Sequence, residues 1–228
     1  ILVTEEGELA RLRNEGAKRA KGEILIFIDD DVILTERWLE NIIQTFNLRS
    51  YTGGVSGPAV IRDYFRRNRD LFKYRLIKKL YDWLFLEGLE ALPGHFVSSG
   101  AWTTGACDET CSYDGYVEFL EACNMAFRAD IFNKLGGFDE SYKGIGDWSE
   151  PDLAFRIRQL GHKLYFNPLA KLYHNPSKSG PYKKRTKDSH NRMDNYLLFS
   201  RRWIRPSFSH AIYKAFLRTY YELESFKR

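Results

Sequence analysis

The chain has 228 residues, 43 % of them apolar and 15 % aromatic, and its 35 Lys and Arg against 30 Asp and Glu give a formal charge of +5. This length and composition suit one sizeable globular core and set aside disordered, collagen-like and disulfide-scaffold proteins. Three cysteines, Cys107, Cys111 and Cys123, are an odd number; Cys107 and Cys111 could pair or share a metal, but two thiols without a second pair or a nearby histidine are weak grounds for zinc, so reduced thiols in a cytoplasmic setting are expected. No apolar run reaches the length of a membrane span. The basic excess suits anionic ligands, but its dispersal along the chain argues against nucleic acid.

Residues 1–4 read as the tail of a strand. Residues 7–21 have helical propensity and a basic face (Arg11, Arg13, Lys18, Arg19, Lys21), with Gly22 as the stop. Ile24, Leu25, Ile26, Phe27 and Ile28 have the length and content of a strand buried on both faces. That run ends in Asp29, Asp30 and Asp31, where an open α/β sheet places its ligand crevice. Three neighbouring carboxylates repel one another unless a cation sits among them, and a hard divalent ion would serve. An acidic turn capping the next helix is the other reading.

Thr35 can cap a helix over residues 36–48, where Trp38, Leu39, Ile42, Ile43 and Phe46 share one face. Residues 53–60 read as a glycine-rich strand, which makes a strand–helix–strand alternation. Residues 64–87 read as a long helix with Phe65, Phe72, Leu76, Leu80 and Leu84 at core spacing and a strongly basic remainder. The alternative for that helix is an amphipathic element resting on an anionic membrane. Residues 92–116 resist assignment.

Residues 116–127 read as strand plus turn, and 129–135 as a short helix stopped by Gly136 and Gly137. Ser149 is expected to open the next helix as its cap, with Asp152 as capping-box partner and Pro151 in the first turn. Two short strands follow at 163–166 and 170–173, then a polar basic loop over 175–188. Aromatic helices over 189–204 and 207–226 close the chain.

Four separated motifs resemble the family 2 glycosyltransferases of the GT-A fold. They are Arg13-Asn14-x-Gly16 with Ala20-x-Gly22; Asp29-Asp30-Asp31 after an apolar strand, similar to the DxD motif; and Asn124-x-Ala126-x-Arg128 followed by Gly136-Gly137-Phe138-Asp139-Glu140. The fourth is Glu150-Pro151-Asp152-Leu153 with Arg156, Gly161, Pro168 and His174. Any one is weak; four in the family's order are not. The match runs over about residues 1–176, loosely over 52–116.

The resemblance implies a Rossmann-like mixed sheet flanked by helices. It also implies a core over residues 1–176, with a basic loop and a C-terminal helical extension over 177–228. The family's opening strand, helix and strand have no counterpart here, so a fragment of a longer enzyme is expected. The implied activity is inverting transfer of a sugar from a nucleoside-diphosphate-sugar to a hydroxyl on a saccharide, lipid-linked or protein acceptor. Polysaccharide, glycolipid or glycoprotein synthesis at the cell envelope would be the setting, with peripheral contact at the inner face of a membrane. A non-catalytic nucleotide-sugar-binding relative is the alternative.

The site implied by the motifs has three parts. Asp31, Asp29 and His174 would hold Mn²⁺ or Mg²⁺, which stabilises the charge gathering on the leaving diphosphate. Glu150 would be the general base, ahead of Asp152, at a helix N-terminus that favours an ionised carboxylate. Arg13, Asn14, Asp29, Asp30, Asn124, Arg128 and Trp148 would contact the donor, with Arg13 on the diphosphate and Trp148 stacked on a sugar ring.

Overall fold

A computed structural model describes residues 8–60, 79–105, 109–175 and 188–225. Helix α1 (Leu9–Arg19) leads to β1 (Ile24–Ile28), and after the aspartates come β2 (Val32–Leu34), α2 (Trp38–Leu48), β3 (Thr52–Ser56) and β4 (Ala59–Val60). A π-helical turn at Asp82–Leu86 precedes a hairpin of β5 (Pro93–Phe96) and β6 (Trp102–Thr104). Then β7 (Gly115–Val117) and β8 (Asn124–Arg128) lead into α3 (Ala129–Lys134) and α4 (Ser149–Gln159). Strands β9 (Lys163–Phe166) and β10 (Leu172–His174) follow, then α5 (Ser189–Trp203) and α6 (Phe208–Ser225).

The main sheet runs β1-β8-β3-β9-β7. Strands β1 and β3 both lie antiparallel to β8, so the strand–helix–strand unit expected from the sequence exists with a later strand inserted between its two strands. A smaller sheet, β2-β10-β4, sets β10 antiparallel to β2 and parallel to β4.

Side chains alternate across β1 and β8, as extended backbone requires. Leu25, Phe27, Met125 and Phe127 pack with Ala10, Phe132, Leu153 and Ile157 of α1, α3 and α4, and with Phe138. Ile24, Ile26 and Ala126 pack on the opposite side with Trp38, Ile42 and Phe46 of α2. Each large apolar side chain so buried contributes about 1.5–3 kcal/mol. A third, aromatic cluster joins Phe85, Tyr142 and Trp148 to Tyr196, Phe199 and Tyr213 of α5 and α6.

Several expectations are corrected. Strand β1 forms one edge of the main sheet; both of its faces are packed, but only Leu25 of its five residues is fully buried and Ile28 is exposed. Thr35 gives its hydroxyl to the Lys171 carbonyl at 2.7 Å and does not cap α2, whose N-cap is Arg37. Ser149 is the first residue of α4; the N-cap is Trp148, with φ +80 and no side-chain cap, so no capping box forms. The stretch 53–60 divides between two sheets. Leu80 and Leu84 face solvent, and the chain buries Phe85 and Leu86 instead. Phe65, Phe72 and Leu76, the N-terminal strand tail, Cys107 and the basic loop residues Lys178, Lys183, Lys184, Arg185 and Lys187 lie outside the described residues.

Candidate metal and acceptor site

The turn between β1 and β2 carries the three aspartates, and pairing of β10 with β2 sets His174 opposite Val32, beside them. The backbone locks this arrangement, since Asn175 N–H donates to the Asp31 carbonyl at 2.9 Å. His174 Nε2 lies 3.0 Å from Asp31 Oδ1 and 3.6 Å from Asp29 Oδ2, with the imidazole buried and both carboxylates partly open to solvent. Asp30 is exposed. Burial pushes the Asp29 carboxyl upward; Arg13 and then His174 pull it down, and Asp31 and Asp30 push it up further.

These residues fit a divalent ion. Ligand atoms around one such ion, each about 2.0–2.3 Å from it, lie about 3–4 Å from one another, the scale of the separations found here. The donor set also includes a residue that nothing in the sequence marks: ligand atoms of Asp29, Cys123 and His174 all lie within 4.8 Å of one another.

A second carboxylate group lies at α4. Arg13 of α1 donates from Nη1 to Glu150 Oε1 at 2.5 Å, and Ser149 donates its hydroxyl to Glu150 Oε2 at 3.3 Å. Arg13 and Glu150 are each about 10 % exposed at the side chain, so the ion pair is largely shielded. Glu121, in the turn before β8, is pushed up to about 7, by burial first and by the Glu150 charge second. Arg13 thus contacts Glu150 and also acts on Asp29, which ties the two carboxylate groups together electrostatically.

Several residues expected at the donor are committed to the scaffold. Asn124 is fully buried: its amide donates to the carbonyls of Gly57 and Ala170, both at 2.9 Å, and its carbonyl accepts from Trp38 Nε1 at 2.9 Å. Arg128 donates to the carbonyls of Thr52 (2.9 Å) and Phe46 (3.0 Å), at the far end of β8 from Asn124. Asn14 exchanges two 2.8 Å hydrogen bonds with the Phe138 backbone and so fastens α1 to the glycine turn. Trp148 is 2 % exposed, with ring centroids of Trp102, Tyr196 and Phe199 at 4.2, 4.9 and 5.0 Å, which leaves no face for a sugar.

Asp152 is likewise buried. It accepts from Arg156 Nε (2.8 Å), Trp203 Nε1 (2.8 Å), Arg202 Nη1 (3.1 Å) and the Tyr142 hydroxyl (3.1 Å). Held by donors from both helices, this carboxylate fastens α4 to α5. Of the two candidate bases, Glu150 is the one paired with Arg13, whose charge also acts on Asp29.

The architecture, a mixed sheet with a triple aspartate at the end of one strand and helices on both faces, is the GT-A fold of glycosyltransferases. Residues 1–97 match the model of Glycosyl transferase family 2, as the motif resemblance implied. The chain is 25 % identical over 173 residues to the glucosyl-dolichyl phosphate glucuronosyltransferase of Haloferax volcanii, covering 71 % of this chain and 46 % of that protein. It is 26 % identical over 189 residues to a putative inactive polypeptide N-acetylgalactosaminyltransferase 12 of Drosophila melanogaster, covering 82 % and 31 %. The chain thus spans less than half the length of either relative.

Two solved structures share the fold. The mannosyltransferase PcManGT of Pyrobaculum calidifontis, in complex with GDP-Man and Mn²⁺, superposes with a TM-score of 0.51 at 19 % identity, over 96 % of this chain and 51 % of that one. GalNAc-T7 with UDP, GalNAc and Mn²⁺ gives 0.57 at 16 % identity, over 96 % and 40 %.

Proposed function

We propose that this chain belongs to the catalytic part of a metal-dependent, inverting glycosyltransferase that moves a sugar from a nucleoside-diphosphate-sugar to a hydroxyl acceptor. The observation that carries the reading is the joining by Arg13 of a carboxylate–imidazole donor set to a second carboxylate, Glu150. Asp29, Asp31 and His174 would hold the ion, which when bound offsets the charge developing on the leaving diphosphate. Glu150 takes the proton from the attacking hydroxyl through Oε2, where the long Ser149 contact is the one an acceptor hydroxyl replaces. Arg13 holds Oε1 and so fixes the orientation of the carboxylate. A single base on the face opposite the leaving group gives inversion at the anomeric carbon.

The test is release of nucleoside diphosphate from a panel of sugar donors in Mn²⁺ or Mg²⁺, with and without chelator. Chelation, Asp31→Ala and Glu150→Gln should each reduce transfer by at least about a hundredfold with the fold intact. Full activity in either variant removes that residue from the mechanism. A non-catalytic sugar-nucleotide binder is the second reading, favoured by the tight hold of Arg13 on Glu150. It predicts donor binding without nucleotide release.

The acceptor side of the proposal includes an anionic membrane surface. Phe208, Ile212, Phe216, Tyr220 and Leu223 form an exposed apolar stripe along α6, and Arg201, Arg205, Lys214 and Arg218 are exposed nearby in the chain. An apolar stripe with basic neighbours suits the boundary of an acidic bilayer. Flotation with anionic liposomes but not with neutral ones is expected; flotation with neither counts against this contact.

A further inference from the structure

The thiol of Cys123 is placed where a ligand to the proposed ion would stand. Strand β8 begins at Asn124, which pairs with Ile28, the last residue of β1. Cys123, the residue before β8, and Asp29, the residue after β1, flank this last pair at the same end of the ladder. Sγ of Cys123, a carboxylate oxygen of Asp29 and a ring nitrogen of His174 therefore converge within 4.8 Å of one another. Cys123 is buried and shares this position with the two groups most suited to ligate beside it. Cys111, the other cysteine of the described residues, packs against the main core with Phe166 and Val117.

We propose that Cys123 supplies a sulfur ligand to the ion held by Asp29 and His174, so that this centre takes Co²⁺, Zn²⁺ or Cd²⁺ in preference to Mg²⁺. The inference rests on the reading of the aspartate turn as a metal site and goes beyond it in naming the sulfur. Carboxylate and water oxygens suit Mg²⁺ and Mn²⁺, imidazole suits later transition ions, and thiolate selects the softer ones. A site that adds a thiolate and an imidazole to its carboxylates therefore departs from all-oxygen selectivity. On loading, the Sγ–H bond breaks, the sulfur lone pair forms the metal–sulfur bond, and the proton passes to solvent buffer; nothing is oxidised or reduced. Ligands of one ion lie about 3–4 Å apart, so atoms at the 4.8 Å limit must close by roughly 1–2 Å, within reach of side-chain rotation.

The probe is Co²⁺ alone, added to the whole chain and followed by X-ray absorption and near-ultraviolet absorption. The expected result is a sulfur scatterer at about 2.3 Å and a thiolate-to-cobalt charge-transfer band that saturates at one ion per chain. Cys123→Ser should abolish both signals and weaken Co²⁺ binding at least tenfold, roughly, with Mg²⁺ binding unchanged, while Cys111→Ser should leave all of them as they are. Circular dichroism and metal-free melting show whether Cys123→Ser is folded; if it is not, the wild-type scattering decides alone. Saturable Co²⁺ binding with only nitrogen and oxygen scatterers overturns the sulfur assignment and spares the metal site. A band that survives Cys123→Ser does the same. No saturable binding of any divalent ion removes the metal site and this inference with it.

Discussion

Arg13 and Glu150, 137 positions apart in the chain, form a 2.5 Å ion pair between the first helix and the N-terminal turn of α4. With both side chains about 10 % exposed, neither charge has water as a ready substitute partner. Breaking a shielded pair from one side costs about 3–5 kcal/mol, because the remaining charge stays buried and unpaired. Arg13→Ala should therefore destabilise by about that much, and replacing both residues with apolar ones of similar volume should restore most of it. Urea denaturation of the two single variants and the double variant gives the coupling directly. A coupling near zero would show that the contact is incidental.

Asn124 offers a cleaner division between scaffold and ligand contact. It engages the carbonyls of Gly57 and Ala170 and the Trp38 indole, so it links β8, the bend between β3 and β4, and α2. Asn124→Ala would strand these groups at about 1–3 kcal/mol each. The loss should appear as a lower denaturation midpoint with or without a sugar nucleotide present. A variant of normal stability whose donor affinity alone had fallen would return Asn124 to the donor site.

Two glycines should respond in opposite directions to the same change. A Cβ on Gly57 would lie 2.2 Å from the Ala170 carbonyl oxygen and 2.6 Å from that of Asn167, both backbone atoms, so the β3–β4 bend must shift. Gly57→Ala should cost about 1–3 kcal/mol or more. A Cβ on Gly16, inside α1, meets nothing within 4 Å. Gly16→Ala should stabilise by about 0.5–1 kcal/mol, the helical advantage of alanine. Paired thermal melts of the two variants check both signs.

Glu121 makes stability depend on pH. Its carboxyl moves from an ordinary 4.5 to about 7 in the folded chain, through burial and then the Glu150 charge. Between those values the folded state holds a proton that the unfolded state has released. Its contribution to stability is therefore full below about 4.5, falls as pH rises through the window, and levels off above about 7. Glu121→Gln should flatten this fall without changing stability at the acidic end. Denaturation midpoints measured at several pH values across the window, for both proteins, decide it.

The sequence made much of this fold legible for a physical reason: the apolar runs of β1 and α2 and the glycine stops at Gly136 and Gly161 are local signals. Motif order, rather than any local pattern, pointed to His174 together with the aspartate turn, and the structure sets His174 3.0 Å from Asp31. What it hid was pairing. Nothing near residues 124–128 says that they insert between β1 and β3, and only that insertion brings Cys123 to Asp29. The same blindness explains Asn124, Arg128, Asp152 and Trp148, whose residue types suit ligand contact but which the structure engages with scaffold partners, most of them far away in sequence. The capping box at Ser149 failed because Trp148 takes a left-handed backbone that a local pattern does not encode.

The insertion of β8 also sets an order in time. Residues Ile24 to Ile28 find their partners at Asn124 to Arg128, and β3 waits on the same strand. As the chain is synthesised, β1, α2 and β3 exist long before the strand that separates them, and the free edges of β1 and β3 can associate directly in a non-native pairing. Long-range pairing of this kind is slow to form and exposes strand edges in the meantime. Insertion of β8 is thus also the step that carries Cys123 to Asp29, whereas His174 reaches the aspartates separately, through the pairing of β10 with β2.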